Sequence, residues 1–174
     1  VDLHDWGVSA RLGVHENGRF AANPMSGLKL TSWSQNLTML EMAQARGFAE
    51  VVLLNERGEV SECTSANLFA VRGARVVTPP LSSGCLPGVT RQVLLEEIAV
   101  EGVTLAEETL RLEDLYSASE VFLTSSTREL LPVASIEGRA VGRQDAVRSR
   151  LHEAFRAYMR RYADAVLAGR ALML

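Results

Sequence analysis

Residues 79–91, PPLSSGCLPGVTR, form a loop rich in Pro, Gly and Ser that runs directly into a helical pattern. That pattern, TRQVLLEEIAV at 90–100, predicts an amphipathic helix that ends at Gly102. Unpaired backbone N–H groups at such a helix start, together with the Thr90 hydroxyl, make a candidate anion-binding site. An ordinary capped helix after a turn is the alternative interpretation.

Short β patterns and amphipathic patterns alternate on both sides of this loop. Two pairs of strands separated by Gly-containing turns predict hairpins at residues 50–63 and 67–78. Further strands are predicted at 5–14, 103–110, 120–124 and 131–136, a loop at 16–24, and helices at 32–46, 90–100, 112–117 and 141–168. No internal repeat or linker interrupts these elements, so the sequence predicts one mixed α/β fold.

Composition excludes several classes of function. With 174 residues, of which 47% are hydrophobic, the chain can bury a core, and a net charge of -3 argues against binding to nucleic acid. Its apolar runs are far shorter than the ~20 residues that cross a bilayer, so no membrane partner is expected.

The cysteines and histidines give no metal-site pattern. Cys63 and Cys85 match neither a zinc motif nor a redox motif, and two cysteines are too few for a disulfide scaffold, which favours a reducing, cytoplasmic compartment. The three histidines, His4, His15 and His152, share no spacing typical of a metal site or a catalytic triad. No metal is expected.

Lys29 is the first candidate for chemistry, since it is the only lysine beside 17 arginines. A lysine amine can form an imine and move protons, whereas a guanidinium does not deprotonate in proteins. An arginine-biased composition that leaves one stray lysine is the alternative. Lys29 lies just before the predicted helix at 32–46, in which apolar residues recur at helical spacing: Trp33, Leu37, Met39, Leu40 and Ala43.

Two further groups of polar residues lie at predicted strand ends. Glu62 stands between two strands and could pair with a heterocyclic nitrogen or point to solvent. Residues 123–129, LTSSTRE, place four hydroxyl side chains after an apolar strand, where they could hold a phosphate or a carboxylate. A simple Ser/Thr-rich turn is the alternative.

Four segments in order resemble the class IV aminotransferases, the fold-type IV pyridoxal-phosphate enzymes. They are GLK at 27–29, ECTSANLF at 62–69 (family EGxxxNxF), TPPLSSGCLPGVTR at 78–91 (family TPPxxxxxLPGITR) and VFLTSSTRELLPV at 121–133. The family includes branched-chain and D-amino acid aminotransferases and 4-amino-4-deoxychorismate lyases. The resemblance implies the larger, C-terminal domain of the D-amino acid aminotransferase-like fold, a mixed sheet or pseudo-barrel with flanking helices.

The resemblance also implies a role for each matching position. Lys29 would hold pyridoxal 5′-phosphate through a Schiff base and move a proton, and Glu62 would pair with the protonated pyridine nitrogen. The remaining expected contacts are the phosphate with Val89, Thr90, Ser125 and Ser126, and the substrate carboxylate with Ser126 and Thr127.

Two positions depart from the family pattern. Trp33 is expected to contact the cofactor where many relatives have a tyrosine, and Cys63 replaces the glycine after the glutamate.

Residues 1–26 are expected to be the end of an N-terminal domain or the interdomain connection, and residues 27–174 the cofactor-binding domain. The N-terminal domain of relatives, which supplies a phosphate-binding Arg, is expected to be missing.

The expected function is pyridoxal-phosphate-dependent transfer of an amino group, with branched-chain amino acids among the possible donors, to a 2-oxo acid. The alternatives are a 4-amino-4-deoxychorismate lyase, or an inactive fragment or structural module of this fold. By resemblance the protein is expected to be a homodimer.

Overall fold

The computed structural model describes residues 9–142 and 144–169. Its strands are β1 (Ala10–His15), β2 (Glu50–Leu54), β3 (Val60–Cys63), β4 (Asn67–Arg72), β5 (Arg75–Thr78), β6 (Thr104–Glu107), β7 (Glu120–Ser125), β8 (Glu129–Ile136) and β9 (Arg139–Ala140). Its helices are α1 (Ser34–Ala45), α2 (Val89–Glu96), α3 (Leu112–Ser117) and α4 (Ala146–Leu167). The predicted mixed α/β class is confirmed.

The described strands form one nine-stranded mixed sheet in the order β3-β2-β1-β8-β7-β4-β5-β6, with β9 paired to β8. It curls into a half-barrel. Strand β1 is parallel to both of its neighbours, β2 and β8. The predicted hairpins β2–β3 and β4–β5 are antiparallel. Residues 10–15, from the segment expected to connect two domains, therefore lie inside this sheet.

Apolar side chains bury both faces of the central strands. Successive residues of a strand point to opposite faces, so Leu68 and Phe69 of β4 enter different clusters. Phe69 stacks on Phe122 of β7 with ring centroids 5.1 Å apart, in a cluster that also contains Leu94 of α2 and Phe155 of α4. Burial on both faces explains why these strands are continuous apolar runs rather than alternating ones.

The predicted element bounds need correction at several ends. Helix α2 ends at Glu96 rather than residue 100, and α4 begins at Ala146 rather than residue 141. The loop at 79–88 contains a 3-10 turn, Leu81–Ser83. Of the strand expected at 5–14, residues 5–8 lie outside the described residues.

The predicted apolar face of α1 is confirmed at Met39 and Ala43 and is wrong for Trp33 and Leu37. Trp33 and Leu37 are 40% and 44% exposed, and the buried residues of the helix are Met39 and Ala43. The reason is that α1 packs mainly against β2, in a small cluster with Val51 and Leu53. Trp33 and Leu37 are not part of this cluster.

Neither a membrane span nor a metal cluster occurs in the described part of the chain. None of its helices is long and apolar enough to cross a bilayer, and nowhere in it do three or more His, Cys, Asp or Glu side chains gather. His4 lies outside the described residues.

Candidate active site

One pocket of about 720 Å³ brings together most of the residues singled out in the sequence. Those that line it are Lys29, Trp33, Glu62, Val89, Thr90, Ser125 and Ser126. Thr127 is not among the lining residues; it is exposed, with its hydroxyl 3.5 Å from that of Ser125. The roles of all eight residues stay predictions, but the pocket places seven of them around one space.

Lys29 reaches this pocket from an irregular segment between β1 and α1, and its side chain is exposed. Gly27, two residues earlier, has φ +77°, a left-handed conformation that glycine adopts without strain. A Cβ at Gly27 would lie 3.2 Å from the carbonyl oxygen of Cys85. Glycine therefore lets the Lys29 segment pack closely against the loop that precedes α2.

Glu62, on β3, is buried rather than pointing to solvent, with an exposed fraction of 6%. Its Oε1 accepts a hydrogen bond from Arg19 Nε at 3.0 Å and forms an ion pair with Arg19 Nη2 at 3.0 Å, and its Oε2 accepts the Leu86 N–H at 3.1 Å. Burial raises the pKa of Glu62, while Arg19 and the Leu86 N–H act in the opposite direction. Each carboxylate oxygen has two lone pairs, so Glu62 can still accept one further N–H.

Arg19 is a pocket residue that sequence reasoning missed. Besides its bonds to Glu62, its Nη1 donates to Asn36 Oδ1 at 2.8 Å, and Asn36 Nδ2 donates to the Thr64 carbonyl at 2.9 Å. All four residues line the pocket. Arg19 lies in a predicted loop and is one of 17 arginines, so no sequence pattern distinguishes it.

The start of α2 offers free backbone donors. The N-cap is Gly88, no side chain caps the helix, and the N–H groups of Val89 and Thr90 belong to the first turn, which has no intrahelical acceptors. A Cβ at Gly88 would lie 2.1 Å from Asn67 Oδ1, so only glycine fits there. Asn67 Nδ2 donates to the Leu86 carbonyl at 2.8 Å, which anchors this loop to β4.

Hydroxyl groups at the end of β7 face the same pocket. Thr124, Ser125 and Ser126 all line it. The Thr124 Oγ1 is buried and has no hydrogen-bond partner among the described residues. Ser125 Oγ accepts a hydrogen bond from the Arg128 N–H at 3.2 Å. Amide and hydroxyl donors from α2 and β7 therefore converge on a space suited to an anion.

The chain is similar in sequence and in fold to branched-chain aminotransferases. The chain is 31% identical to the branched-chain-amino-acid aminotransferase of Salmonella typhimurium over 87% of its own length and 50% of that protein. A structure of the Escherichia coli branched-chain aminotransferase has a TM-score of 0.79 at 31% identity, over 86% of this chain and 52% of that one. The T.th. branched-chain aminotransferase with pyridoxamine 5′-phosphate has a TM-score of 0.80 at 29% identity, over 98% and 55% of the two chains. The chain thus spans about half the length of the relatives it matches, and the fold expected from the resemblance is confirmed.

The pocket suits the cofactor of such enzymes, pyridoxal 5′-phosphate. It combines a primary amine, a buried carboxylate, free amides at a helix start, and the Thr124 hydroxyl, which has no partner among the described residues. The sequence profile described as amino-transferase class IV matches residues 11–136, which is most of the chain and contains every predicted site residue. The chain therefore belongs to the class IV aminotransferases, a family whose cofactor is pyridoxal 5′-phosphate.

Proposed function

We propose that this chain is the cofactor-binding part of an enzyme that transfers an amino group between an amino acid and a 2-oxo acid. The observation that carries the proposal is that Lys29, Glu62 and the start of α2 open into one pocket. An amine, a carboxylate and an anion-binding helix start are the three kinds of group that the aldehyde, the ring nitrogen and the phosphate of the cofactor require.

Lys29 carries the proton chemistry in this proposal. Bound cofactor supplies an electron sink that stabilises negative charge at the substrate Cα. Lys29 Nζ would hold the cofactor and, as a free amine, would take the proton from the substrate Cα and return it in the second part of the transfer. The sole lysine of the chain lines the pocket and is exposed, so its amine can reach a bound molecule.

Glu62 keeps the ring nitrogen of the cofactor protonated by accepting its N–H. Arg19 supports this role, because its hydrogen bond and ion pair with the buried carboxyl favour the ionised form. Trp33, whose indole N–H can only donate, takes the place of the family's tyrosine beside the cofactor ring.

The phosphate of the cofactor is held between α2 and β7. Val89 and Thr90 donate backbone N–H groups, and Ser125 and Ser126 donate hydroxyls. The substrate carboxylate is assigned to Ser126 and Thr127. Thr127 does not line the pocket, so its part in this contact rests on the family pattern.

Branched-chain amino acids are the donor class proposed first, because the relatives carry that name. Residues 27–174 form the cofactor-binding domain in this proposal, and residues 1–26 the connection from another domain, with β1 added to the sheet. The rim of the pocket is apolar and exposed at Phe20, Met25 and Leu28, which supports its burial against further protein. We assign this covering protein to the other domain and to a second subunit of a cytoplasmic homodimer.

The test is an activity assay on the chain loaded with pyridoxal phosphate. Transfer of the amino group from leucine, isoleucine or valine to 2-oxoglutarate is the expected result, with Lys29→Arg as the inactive control. Release of pyruvate from aminodeoxychorismate would instead identify a lyase. Tight binding of cofactor without either activity would identify a domain that keeps the site but is not sufficient for catalysis.

A further inference from the structure

Two turns line the pocket beside the predicted phosphate and carboxylate contacts. One is the turn between β3 and β4, which contributes Thr64 and Ser65, and the other begins at the end of β7 and contributes Ser125 and Ser126. A hydroxyl group binds an anion well only if its position is fixed, since otherwise binding must order the turn. What holds these two turns together therefore matters for the site.

A single buried carboxylate, that of Glu50, contacts both turns. Glu50 is the first residue of β2 and is 1% exposed. Its Oε1 accepts the Thr64 N–H at 3.2 Å and the Thr64 hydroxyl. Its Oε2 accepts the Ser65 hydroxyl at 2.5 Å and Arg128 Nη1 at 3.0 Å. The carboxylate thus binds one turn through hydroxyls and an amide, and the other through a guanidinium.

Arg128 also fixes its own turn from within. Its side chain is buried against Glu50, while its backbone N–H donates to Ser125 Oγ at 3.2 Å. The next residue, Glu129, has the left-handed φ of 49°, which costs free energy for a residue with a side chain. His152 Nε2 and Arg156 Nε of α4 contact the Glu129 carboxylate at 2.5 Å and 2.6 Å and hold it there.

A buried ion pair is a poor way to gain stability, because desolvation of both charges offsets their attraction. Well-packed apolar side chains would serve as well or better for stability alone. Fixing the relative position of two polar turns is a task that apolar side chains cannot perform, because they cannot hydrogen-bond hydroxyl and amide groups.

We propose that Glu50 and Arg128 are positioning residues of the pocket: their buried ion pair joins the Thr64–Ser65 turn to the Ser125–Arg128 turn and fixes the Ser125 and Ser126 hydroxyls for an anionic group. The identity of that anion, the cofactor phosphate, rests on the proposed function. The hydrogen-bonded link between the two turns does not depend on the proposed function.

The experiment compares Glu50→Gln with a matched control, Glu120→Gln. Glu120 lies at the other end of β7, is similarly buried, and accepts the N–H groups of Val147 and Arg148 at 3.0 Å and 2.8 Å. Binding of pyridoxal phosphate and of pyridoxal is measured by absorbance titration, since the two differ only in the phosphate. Amide hydrogen exchange is measured in the cofactor-free chain at residues 64–66 and 125–128.

Glu50→Gln is expected to weaken pyridoxal phosphate binding roughly tenfold, the effect of one lost charged hydrogen bond, and to change pyridoxal binding little. Exchange should become faster in both turns together. Glu120→Gln should lower thermal stability. It should leave unchanged the amide exchange of both turns and the ratio of the affinities for pyridoxal phosphate and pyridoxal. Arg128→Lys, which keeps the charge and is the milder change if Glu50→Gln does not fold, should also loosen both turns, to a smaller degree.

Equal losses of pyridoxal phosphate and pyridoxal binding, or exchange that changes in neither or only one turn, would overturn the proposal and leave Glu50 with a purely structural role. If the unaltered chain bound neither compound, the proposed function would fail. The exchange of the two turns would still decide whether Glu50 and Arg128 link them.

Discussion

Similar apolar side chains are buried in the cluster under α2 and α4 but exposed at the rim of the pocket. Phe122 lies in the cluster, stacked on Phe69 and fully buried, whereas Phe20 on the pocket rim is 58% exposed. Met25 and Leu28, close to Lys29 in the sequence, are exposed as well. Stability thus resides in one region and the candidate chemistry in the other, so substitutions in the two regions should affect different measurements.

The largest expected effect on stability comes from Phe122→Ala. Removing a fully buried ring leaves a cavity and should lower the free energy of unfolding by about 3–5 kcal/mol. The matched variant Phe20→Ala removes the same atoms from an exposed position and should change it by no more than about 0.5 kcal/mol. Denaturant titration followed by circular dichroism measures both.

Similar losses for the two phenylalanine variants would mean that the rim is packed as tightly as the cluster. The contrast between the two regions would then be wrong. Phe20→Ala should instead be detectable in cofactor binding, because Phe20 lines the pocket.

Arg19→Met should weaken cofactor binding. Arg19 lowers the pKa of Glu62, so its removal lets burial raise that pKa further. The ionised carboxylate binds the N–H of a protonated ring more strongly than the neutral carboxyl does. Affinity for pyridoxal phosphate should therefore fall more at pH 6 than at pH 8, by roughly tenfold at the lower pH. Absorbance titration at the two pH values measures this difference.

The matched control for Arg19 is Arg57→Met, in the turn between β2 and β3. Arg57 pairs with Glu59 at 2.7 Å but does not line the pocket. The Arg57→Met chain should bind cofactor like the unaltered chain at both pH values. A pH-independent loss in Arg19→Met would show that Arg19 acts by packing and not through the ionisation of Glu62.

The smallest expected effect concerns His152, on the side of the cluster. Arg148 Nη1 lies 3.2 Å from its Nδ1, and because an arginine only donates, Nδ1 must be the acceptor and Nε2–H the donor to Glu129. Burial lowers the pKa of His152 against the opposing effect of Glu129. The unfolded chain then binds a proton more readily than the folded one.

His152 therefore contributes stability that is fully present above its ordinary pKa of about 6.5 and is lost as the pH falls toward the lowered value. Free energies of unfolding at pH 7.5 and pH 5.5 should differ more in the unaltered chain than in His152→Gln. An equal pH dependence in both would show that the ring is not held neutral. Cofactor binding should stay unchanged, since His152 does not line the pocket.

The features that could be predicted from the sequence are those that short contiguous segments encode. The apolar runs of β4 and β7 and the loop before α2 are contiguous in sequence, and the candidate residues Lys29 and Glu62 were recognisable by residue type and motif. The environment of these residues was not predictable, because it depends on contacts between distant positions. Arg19 and Glu62 are 43 residues apart, and Arg128 and Glu50 are 78 apart.

The error at α1 has the same origin. All the apolar residues named for this helix have helical spacing, but only Met39 and Ala43 are buried against the sheet, and Trp33 and Leu37 are exposed. Apolar spacing indicates a helix, whereas the tertiary neighbours determine which of its residues are buried.

Borohydride reduction of the chain with pyridoxal phosphate tests the assignment of Lys29 most directly. Reduction turns a C=N bond between the cofactor and an amine into a stable C–N bond, and Lys29 is the only lysine in the sequence. Peptide mass spectrometry should find one cofactor on the peptide that contains residue 29, and none there in Lys29→Arg. No label, or a label on the terminal amine alone, would contradict the assignment of Lys29 and with it the proposed chemistry.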